Sequence, residues 1–319
     1  MNAAHGIDVL ISEVGPRDGL QSIQSIMPLE GKKRWVTAEA AAGVKEIEVG
    51  SFVPKKILPQ LADTAELVQH ALTINGLTVA VLVPNLRGAQ AAIAAGAHKI
   101  TVPVSASETH SLRNVNRTHV QMLDEIRAIS ALIRTLPEGQ RPKLEGGLST
   151  AFGCTLEGQI PDAVIVSLAE AMMAAGCDEV GLSDTTGYGN PAQVRRITGL
   201  VWDAIGREHL TGIHLHNTRG QGLANVLAAL DVGLTTVDAS LGGLGGCPFA
   251  PGASGNIVTE DLAFLLEAMG LRTGIDLERL FKVRSILQEC LPGEVLYGFT
   301  PDAGLPKGFV AATLQAMPA

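Results

Sequence analysis

Eight short apolar segments, each followed by a stretch rich in Ala and Leu at helical period, predict a closed (β/α)8 TIM barrel of the α/β class. Two further observations agree. Several helical stretches end on glycine immediately before the next apolar segment, as left-handed caps do. The polar residues able to do chemistry fall near the C-terminal ends of the strands, which in a barrel open onto one face. A doubly wound open sheet uses the same units, but its Gly-rich phosphate fingerprint should follow the first strand. The chain instead reads Gly15-Pro16-Arg17-Asp18-Gly19 there.

Taken in order, the first strand is expected over Asp8 to Val14 and runs into that turn. Glu30 to Ala42 has helical period and is stopped by Gly43 before the second strand, Val44 to Val49, which closes on Glu48. The third strand, Leu77 to Val83, leads into a helix over Leu86 to Ala95, and Gly96 separates that helix from the fourth strand, Lys99 to Val104. The fifth strand, Lys143 to Phe152, carries Ser149 and Thr150 late in its length. A helix over Pro161 to Ala175 ends at Gly176, and the sixth strand, Glu179 to Ser183, precedes Asp184. Pro191 to Ile205 forms the next helix, Gly212 to His216 the seventh strand, Leu223 to Leu230 a further helix, and Thr236 to Ser240 the eighth strand. Beyond about Thr273 the alternation stops, leaving one helical pattern, Leu277 to Cys290, and then segments punctuated by Gly and Pro. Residues 1–272 are therefore expected to form the barrel, and 273–319 a C-terminal extension of the same domain packed on it.

Composition excludes several classes. With 46% hydrophobic and 18% charged residues the 319-residue chain has material for a large core, so disorder is not expected. A formal net charge of -8 gives no general attraction to phosphate polymers, which argues against a nucleic-acid partner. Cys154, Cys177, Cys247 and Cys290 lie far apart without a CxxC pair, so neither a zinc knuckle nor a disulfide framework is indicated. A reducing cytoplasm fits that pattern. The start, MNAAHGIDVLISEVG, lacks a basic region followed by a long apolar core, and no apolar run reaches about 18 residues. Export and membrane insertion are both disfavoured.

The chemistry gathers around the stretch Gly242 to Asp261, GGLGGCPFAPGASGNIVTED, where small residues surround the thiol of Cys247 ahead of a helical pattern from Ile257. That much glycine suits a mobile loop over a site. Pro248 keeps Cys247 out of a helix or central strand, so the thiol is either reachable or an inert buried one. His214 and His216, two apart in a strand, share one face and can clamp a metal, or else serve as structural histidines. Asp18 and Asn256 can add oxygen ligands from the first and last barrel units. Mixed nitrogen and oxygen donors favour Mg²⁺ or Mn²⁺ over a thiolate-rich zinc site. Arg17 either offers a fork of donors to a developing oxyanion or makes a surface ion pair with Asp18 or Glu48. Glu48 is costly to bury unless paired, and Arg17 is its natural partner. Asp184 supports the metal site from behind or caps the following helix.

The stretches EVGPRDGLQ (Glu13 to Gln21), IEVGSF (Ile47 to Phe52), GLSDTTG (Gly181 to Gly187), HLHNTRGQGLAN (His214 to Asn225) and the cysteine loop resemble 3-hydroxy-3-methylglutaryl-CoA (HMG-CoA) lyases, from about Val9 to Leu266. The arginine-aspartate turn and the paired histidines are shared with the Claisen-type synthases; the cysteine loop points to the lyases. The resemblance implies Asp18, His214, His216 and Asn256 as metal ligands, Arg17 as carbonyl-polarising group, Cys247 as acid/base thiol and Glu48 as supporting carboxylate. Gln21, Asp184 and Glu260 are expected to support them. Two segments depart from the family pattern: Thr109-His110-Ser111-Leu112-Arg113 replaces the usual phenylalanine and lysine-rich continuation, and the fifth strand ends Ser149-Thr150-Ala151-Phe152-Gly153-Cys154. Both are expected to line the acyl pocket.

The resemblance implies a lyase that takes an acyl-CoA, needs a divalent cation and breaks a C–C bond by a retro-Claisen step, giving acetyl-CoA and acetoacetate. His214 or Asp18 would take the hydroxyl proton, and Cys247 would protonate the enolate. A homo-oligomer, dimer or tetramer, is expected. Three alternatives stand beside it: a lyase for a related 3-hydroxy-dicarboxylyl-CoA such as citramalyl-CoA, releasing pyruvate; a synthase running the condensation, disfavoured because no C-terminal regulatory domain follows the barrel; and a catalytically silent barrel, which should have lost some of these residues.

Overall fold

In the computed structural model, which describes residues 6–245 and 255–315, eight parallel strands close into a barrel with neighbours in sequence order. The strands are β1 (Leu10–Glu13), β2 (Glu46–Ser51), β3 (Thr78–Leu82), β4 (Lys99–Ser105), β5 (Lys143–Ser149), β6 (Glu179–Ser183), β7 (Gly212–His214) and β8 (Thr236–Ala239). Pairing of β1 with β8, from Leu10 opposite Thr236 to Glu13 opposite Ala239, seals it. The helices are α1 (Leu29–Ala41), α2 (Thr64–Ala71), α3 (Leu86–Ala95), α4 (Glu108–Val115), α5 (His119–Arg134), α6 (Asp162–Ala175), α7 (Pro191–Ile205), α8 (Gly222–Val232), α9 (Thr259–Ala268), α10 (Leu277–Cys290) and α11 (Phe299–Ala303). Left-handed glycines end α3, α6 and α8 as expected.

Successive side chains of a strand point to opposite faces, and here the faces differ in kind. Outward positions are aliphatic and buried beneath the helices: Ile100, Val102 and Val104 of β4 and Leu144 and Leu148 of β5 all belong to one hydrophobic cluster. Inward positions are charged, hydroxylated or small: Lys99 and Thr101 of β4; Lys143, Glu145, Gly147 and Ser149 of β5. A barrel interior is ordinarily filled by branched apolar side chains. This one surrounds a cavity of 820 Å³ that runs from the C-terminal mouth, at Arg17 and His214, to a floor of Lys99, Glu46, Glu145 and Glu179.

Strand ends differ from the sequence expectation where the backbone turns. β5 stops at Ser149 because Thr150 adopts φ +55, a left-handed conformation rare for a β-branched residue. β7 stops at His214, and His216 is joined instead to Asn256 by an isolated antiparallel bridge. In β2 the register slips between Glu48 and Gly50, an irregularity that re-aims side chains. Two helices follow β4: α4, capped by the Ser107 hydroxyl accepting from His110 N, and α5, opened by a capping box of Thr118 and Gln121.

α10 lies against α1, with Leu277, Leu280, Val283 and Leu287 buried in the cluster that also holds the barrel strands. Full burial of four such side chains contributes on the order of 6–12 kcal/mol before entropy is counted. The Arg34–Glu289 pair between these helices is exposed and screened by solvent, so apolar packing fastens the segment.

Candidate active site

The mouth is built on a single π-helical turn, Gly15–Gly19, whose Arg17, Asp18 and Gly19 amides all point at Val14 O. Glu13 anchors that turn across the barrel seam: Oε1 accepts from Gly15 N at 2.8 Å and from Leu241 N at 2.9 Å, while Oε2 accepts from the Thr259 hydroxyl at 2.6 Å. The Glu13 carboxyl is pushed up to about 7 by burial, opposed by those hydrogen bonds. The chain after β8 also touches the turn. A Cβ on Gly245 would stand 3.1 Å from Gly19 Cα and O, so the approach requires glycine, and Gly245 itself holds φ +111.

Arg17 donates from Nε to Glu48 and from Nη1 to Asp18, with all three side chains largely buried. It is therefore an interior ion-pair network and no surface pair. Burial works against charge on Arg17, but Glu48 and Asp18 outweigh it and keep the guanidinium charged. No described contact uses Nη2, whose hydrogens are left for a ligand. Burial raises the Glu48 carboxyl despite Arg17. For Asp18 the balance reverses: burial is outweighed by Arg17 and then by the two imidazoles, and its carboxyl is held well below the usual range.

The two histidines point Nε2 at Nε2, 3.0 Å apart, and Asp18 Oδ2 stands 4.0 Å from His214 and 3.9 Å from His216. Asn256 donates from Nδ2 to Asp18 Oδ2 at 2.8 Å, which leaves its buried Oδ1 with no protein partner among the described residues. His214 Nδ1 meets Asp238 Oδ2 at 3.1 Å. Burial pulls His214 down, but Asp238 and Asp18 raise it above the ordinary value; His216 shares Asp18 but has no counterpart of Asp238 at Nδ1 among the described residues, and burial and His214 push it down to about 4.

These atoms fit a divalent cation. Among the described residues, Asp18, His214 and His216 form the one His/Cys/Asp/Glu group whose ligand atoms converge, all within 4.8 Å of one another. Donors about 2.1 Å from a common ion stand roughly 3–4 Å apart. The orphaned Oδ1 of Asn256 is the kind of buried acceptor that a cation satisfies. One carboxylate, two imidazoles and an amide form a donor set for a borderline-hard ion.

The remaining expected residues have separate surroundings. Gln21 lines the cavity with an exposed side chain and makes none of the contacts above. Asp184 does not cap the next helix; Asn190 does, through Gln193 N. The Asp184 carboxylate instead accepts from Tyr188 N at 2.9 Å and Gly189 N at 3.0 Å, bracing the turn after β6. Burial pushes it up to about 6. Glu260 is fully buried, accepting from Gly242 N at 2.9 Å and Arg284 Nη1 at 2.6 Å. It steadies the root of the glycine stretch away from the cavity. Cys247 lies outside the described residues. Cys154, of interest for its place after the fifth strand, is fully buried.

Sequence reasoning missed Asp238, the partner of His214. Its signal was there: an acid between Val237 and Ala239 in a strand otherwise expected to be buried. The floor was missed as well. Lys99 Nζ lies 2.5 Å from Glu145, 3.2 Å from Glu179 and 3.4 Å from Glu46, and Lys143 meets Glu179 at 2.6 Å.

A closed parallel barrel carrying a cation seat and a buried guanidinium at the C-terminal ends of its strands defines a (β/α)8 enzyme of the kind that works on oxygen-rich substrates. Comparison with known proteins makes the class specific: the HMGL-like family model matches residues 8–287, and the chain belongs to that family. It is 38% identical over 285 residues to the mitochondrial hydroxymethylglutaryl-CoA lyase of Gallus gallus, covering 89% of this chain and 93% of that one. The hydroxymethylglutaryl-CoA lyase YngG of Bacillus subtilis is 38% identical over 283 residues, covering 88% and 92%. A solved structure of an HMG-CoA lyase from Acinetobacter baumannii, in complex with coenzyme A and 3-methylmalate, is 39% identical and superposes with a TM-score of 0.87 over 100% of both chains. Among the described residues no helix is long and apolar enough to cross a membrane.

Proposed function

We propose that the chain is a carbon-carbon lyase that cleaves HMG-CoA to acetyl-CoA and acetoacetate with the help of a divalent cation. The observation that carries the reading is the meeting of Arg17, Asp18, His214, His216 and Asn256 at one end of the barrel, in a chain 38% identical to hydroxymethylglutaryl-CoA lyases over most of its length. Bound at Asp18, His214, His216 and Asn256, the cation would supply Lewis acidity that eases ionisation of the substrate's tertiary hydroxyl.

Of the two proton acceptors at that position, His214 outranks Asp18. Asp238 supports its protonated form, whereas Arg17 depresses the basicity of Asp18. His214 takes the hydroxyl proton at Nε2, Nδ1 being held by Asp238, and in that step Asp18, His216 and Asn256 would hold the ion without it. The C2–C3 bond then breaks and its electron pair passes into the thioester enolate. Arg17, fixed by Glu48 and Asp18, has the Nη2 hydrogens free to meet the enolate oxygen. Cys247 lies two positions beyond Gly245, and Gly245 packs on the turn that carries Arg17 and Asp18. Its thiol protonates the enolate carbon, and the proton held by His214 returns to the thiolate, so the cycle consumes none. Gln21, Asp184 and Glu260 act as supports in this reading. Mg²⁺ or Mn²⁺ as the ion, a homo-oligomeric assembly, a cytoplasmic location and a single domain with a C-terminal extension belong to it too.

The polar wall at His110, Arg113 and Ser149 favours one second reading, a related 3-hydroxy-dicarboxylyl-CoA such as citramalyl-CoA. Incubation of the protein and Mg²⁺ with both thioesters, with identification of the carbonyl product released, separates the two. Acetoacetate is the expected product. Pyruvate would move the assignment to the second reading, and no carbonyl product from either would overturn both.

A further inference from the structure

His110 occupies the first turn of α4 and lines the cavity, and one edge of its ring is tied into a buried relay of hydroxyls. His110 Nδ1 lies 3.0 Å from Ser105 Oγ, which lies 2.9 Å from Thr150 Oγ1; Thr150 Oγ1 also accepts from Ser107 N at 3.0 Å. Thr150 is fully buried and its backbone is held at φ +55, a strain of about 1–3 kcal/mol for such a residue. Its amide is fixed in turn by the Thr185 hydroxyl at 2.9 Å. Strain of this kind persists where the surroundings over-determine a conformation, and here it aims one hydroxyl at Ser105.

The relay sets the histidine tautomer. Thr150 Oγ1 already accepts from Ser107, and Ser105 Oγ is the one acceptor within reach of its own hydrogen among the described residues. Thr150 therefore donates to Ser105. Ser105, itself buried, has His110 Nδ1 as the remaining acceptor for its hydrogen. An acceptor at Nδ1 leaves the proton of a neutral imidazole on Nε2. Burial lowers the His110 pKa, which favours that neutral form. Nε2 has no protein partner among the described residues and is not sealed from solvent, so the open edge of the ring carries an N–H donor. One turn on, the exposed Arg113 lines the same cavity without an ion pair among the described residues and brings a positive charge to this wall, offset at His110 by Glu157, which accepts from Thr109 N at 2.8 Å.

We propose that His110 is a specificity-determining residue whose Nε2–H donates a hydrogen bond to the terminal carboxylate of the acyl group. The proposal rests on the HMG-CoA reading above. A fixed donor with an unpaired arginine one turn away selects a carboxylate, which offers about four acceptor sites, over a methyl group of similar size. The contact is made alike in ground and transition states, so its loss raises KM and leaves kcat nearly unchanged.

Two ligands decide the matter: HMG-CoA, and 3-hydroxy-3-methylbutyryl-CoA, which lacks only the carboxylate and whose binding is read as its inhibition constant against HMG-CoA. His110→Phe should raise the KM and Kd for HMG-CoA about tenfold, while the inhibition constant of the neutral analogue moves less than twofold. His110→Gln, which keeps a donor at similar reach, should recover most of the loss. Ser105→Ala leaves the imidazole in place but removes the hydrogen bond to Nδ1. The ¹⁵N spectrum of the ring should then shift from the Nε2–H form towards a mixture, and KM for HMG-CoA should rise. Equal losses for both ligands, no loss for HMG-CoA, or an Nδ1–H ring in the wild type would overturn the proposal. A wild-type protein that neither binds nor cleaves HMG-CoA would overturn the underlying reading with it, whereas wild-type cleavage together with a silent His110→Phe would overturn this inference alone.

Discussion

One barrel holds two charged clusters, one at the mouth and one at the floor, and they differ in whether their members satisfy one another. At the floor Lys99 is surrounded by Glu46, Glu145 and Glu179, with Lys143 shared by Glu179, so every carboxylate touches a lysine. At the mouth Arg17 is shared by Asp18 and Glu48, Asp238 leans on a histidine, two imidazole nitrogens face each other, and Asn256 Oδ1 has no partner among the described residues. Carboxylates outnumber fixed cations in both clusters, but only at the mouth do donor atoms converge on a point that no described side chain fills. The floor is an ion-pair network closed on itself; the mouth has the unfilled donors that a cation and a substrate would complete. Completeness of pairing, more than burial or charge, separates the structural cluster from the functional one.

The largest expected effect breaks the mouth. His216→Ala or Asp18→Asn should abolish stoichiometric Mn²⁺ binding and lower turnover of HMG-CoA by about a thousandfold or more, since several kcal/mol of charge stabilisation go with the ion. Direct metal titration and a product assay read the two losses. Next comes the floor: Lys99→Met strands Glu46 and Glu145 in the interior, while Glu179 keeps Lys143, and should destabilise the fold by about 3 kcal/mol or more, measured by urea unfolding. The affinity for Mn²⁺ should be unchanged. Coupled losses of metal affinity and stability in that variant would erase the distinction between the clusters.

Arg17→Lys keeps the charge but loses the planar fork that holds Glu48, Asp18 and a ligand together, and should cost about a hundredfold in kcat. Cys247→Ala should fall by a comparable factor while keeping metal and thioester binding, because the loss is confined to a proton transfer. Near wild-type turnover in either would assign the role elsewhere.

The smallest effect is a pH dependence at the floor. Burial raises Glu145 to about 7 from its ordinary value of 4.5, with Lys99 opposing and Glu179 and Asp238 adding to the rise. The folded state therefore binds that proton more tightly than the unfolded chain. Its stabilising contribution is complete below about pH 4.5 and is lost as pH rises through about 7. Glu145→Gln should flatten the fall in unfolding free energy between about pH 5 and 8, and an unaltered slope would mean that Glu145 is ionised throughout.

Much of the fold was legible because its signals are local. Outward strand positions and helix faces carry aliphatic residues at periods of about two and 3.6, and glycines such as Gly96 and Gly176 mark where helices stop. Asp18, His214, His216 and Asn256 were legible because turn and strand grammar puts them at one end of the barrel. What stayed hidden depends on partners distant in sequence. Lys99 meets Glu145 and Glu179 only through the registers of β4 with β5 and β5 with β6. Asp238 finds His214 because β7 and β8 set them side by side. Thr150 read as strand because threonine favours strands, and nothing in its neighbours announces φ +55. Asp184 and Asn190 compete for one capping role with equivalent chemistry, and only the length of the turn between them gives it to Asn190.

Equilibrium binding of Mn²⁺ to metal-stripped protein, monitored by electron paramagnetic resonance alongside acetoacetate release from HMG-CoA, tests the central distinction most directly. A mouth that needs a cation should bind one ion per chain in the wild type and in Lys99→Met, bind none in His216→Ala, and release acetoacetate only in proportion to occupancy. Full turnover by metal-free wild-type protein, or one tightly bound ion in a variant lacking both His214 and His216, would contradict it.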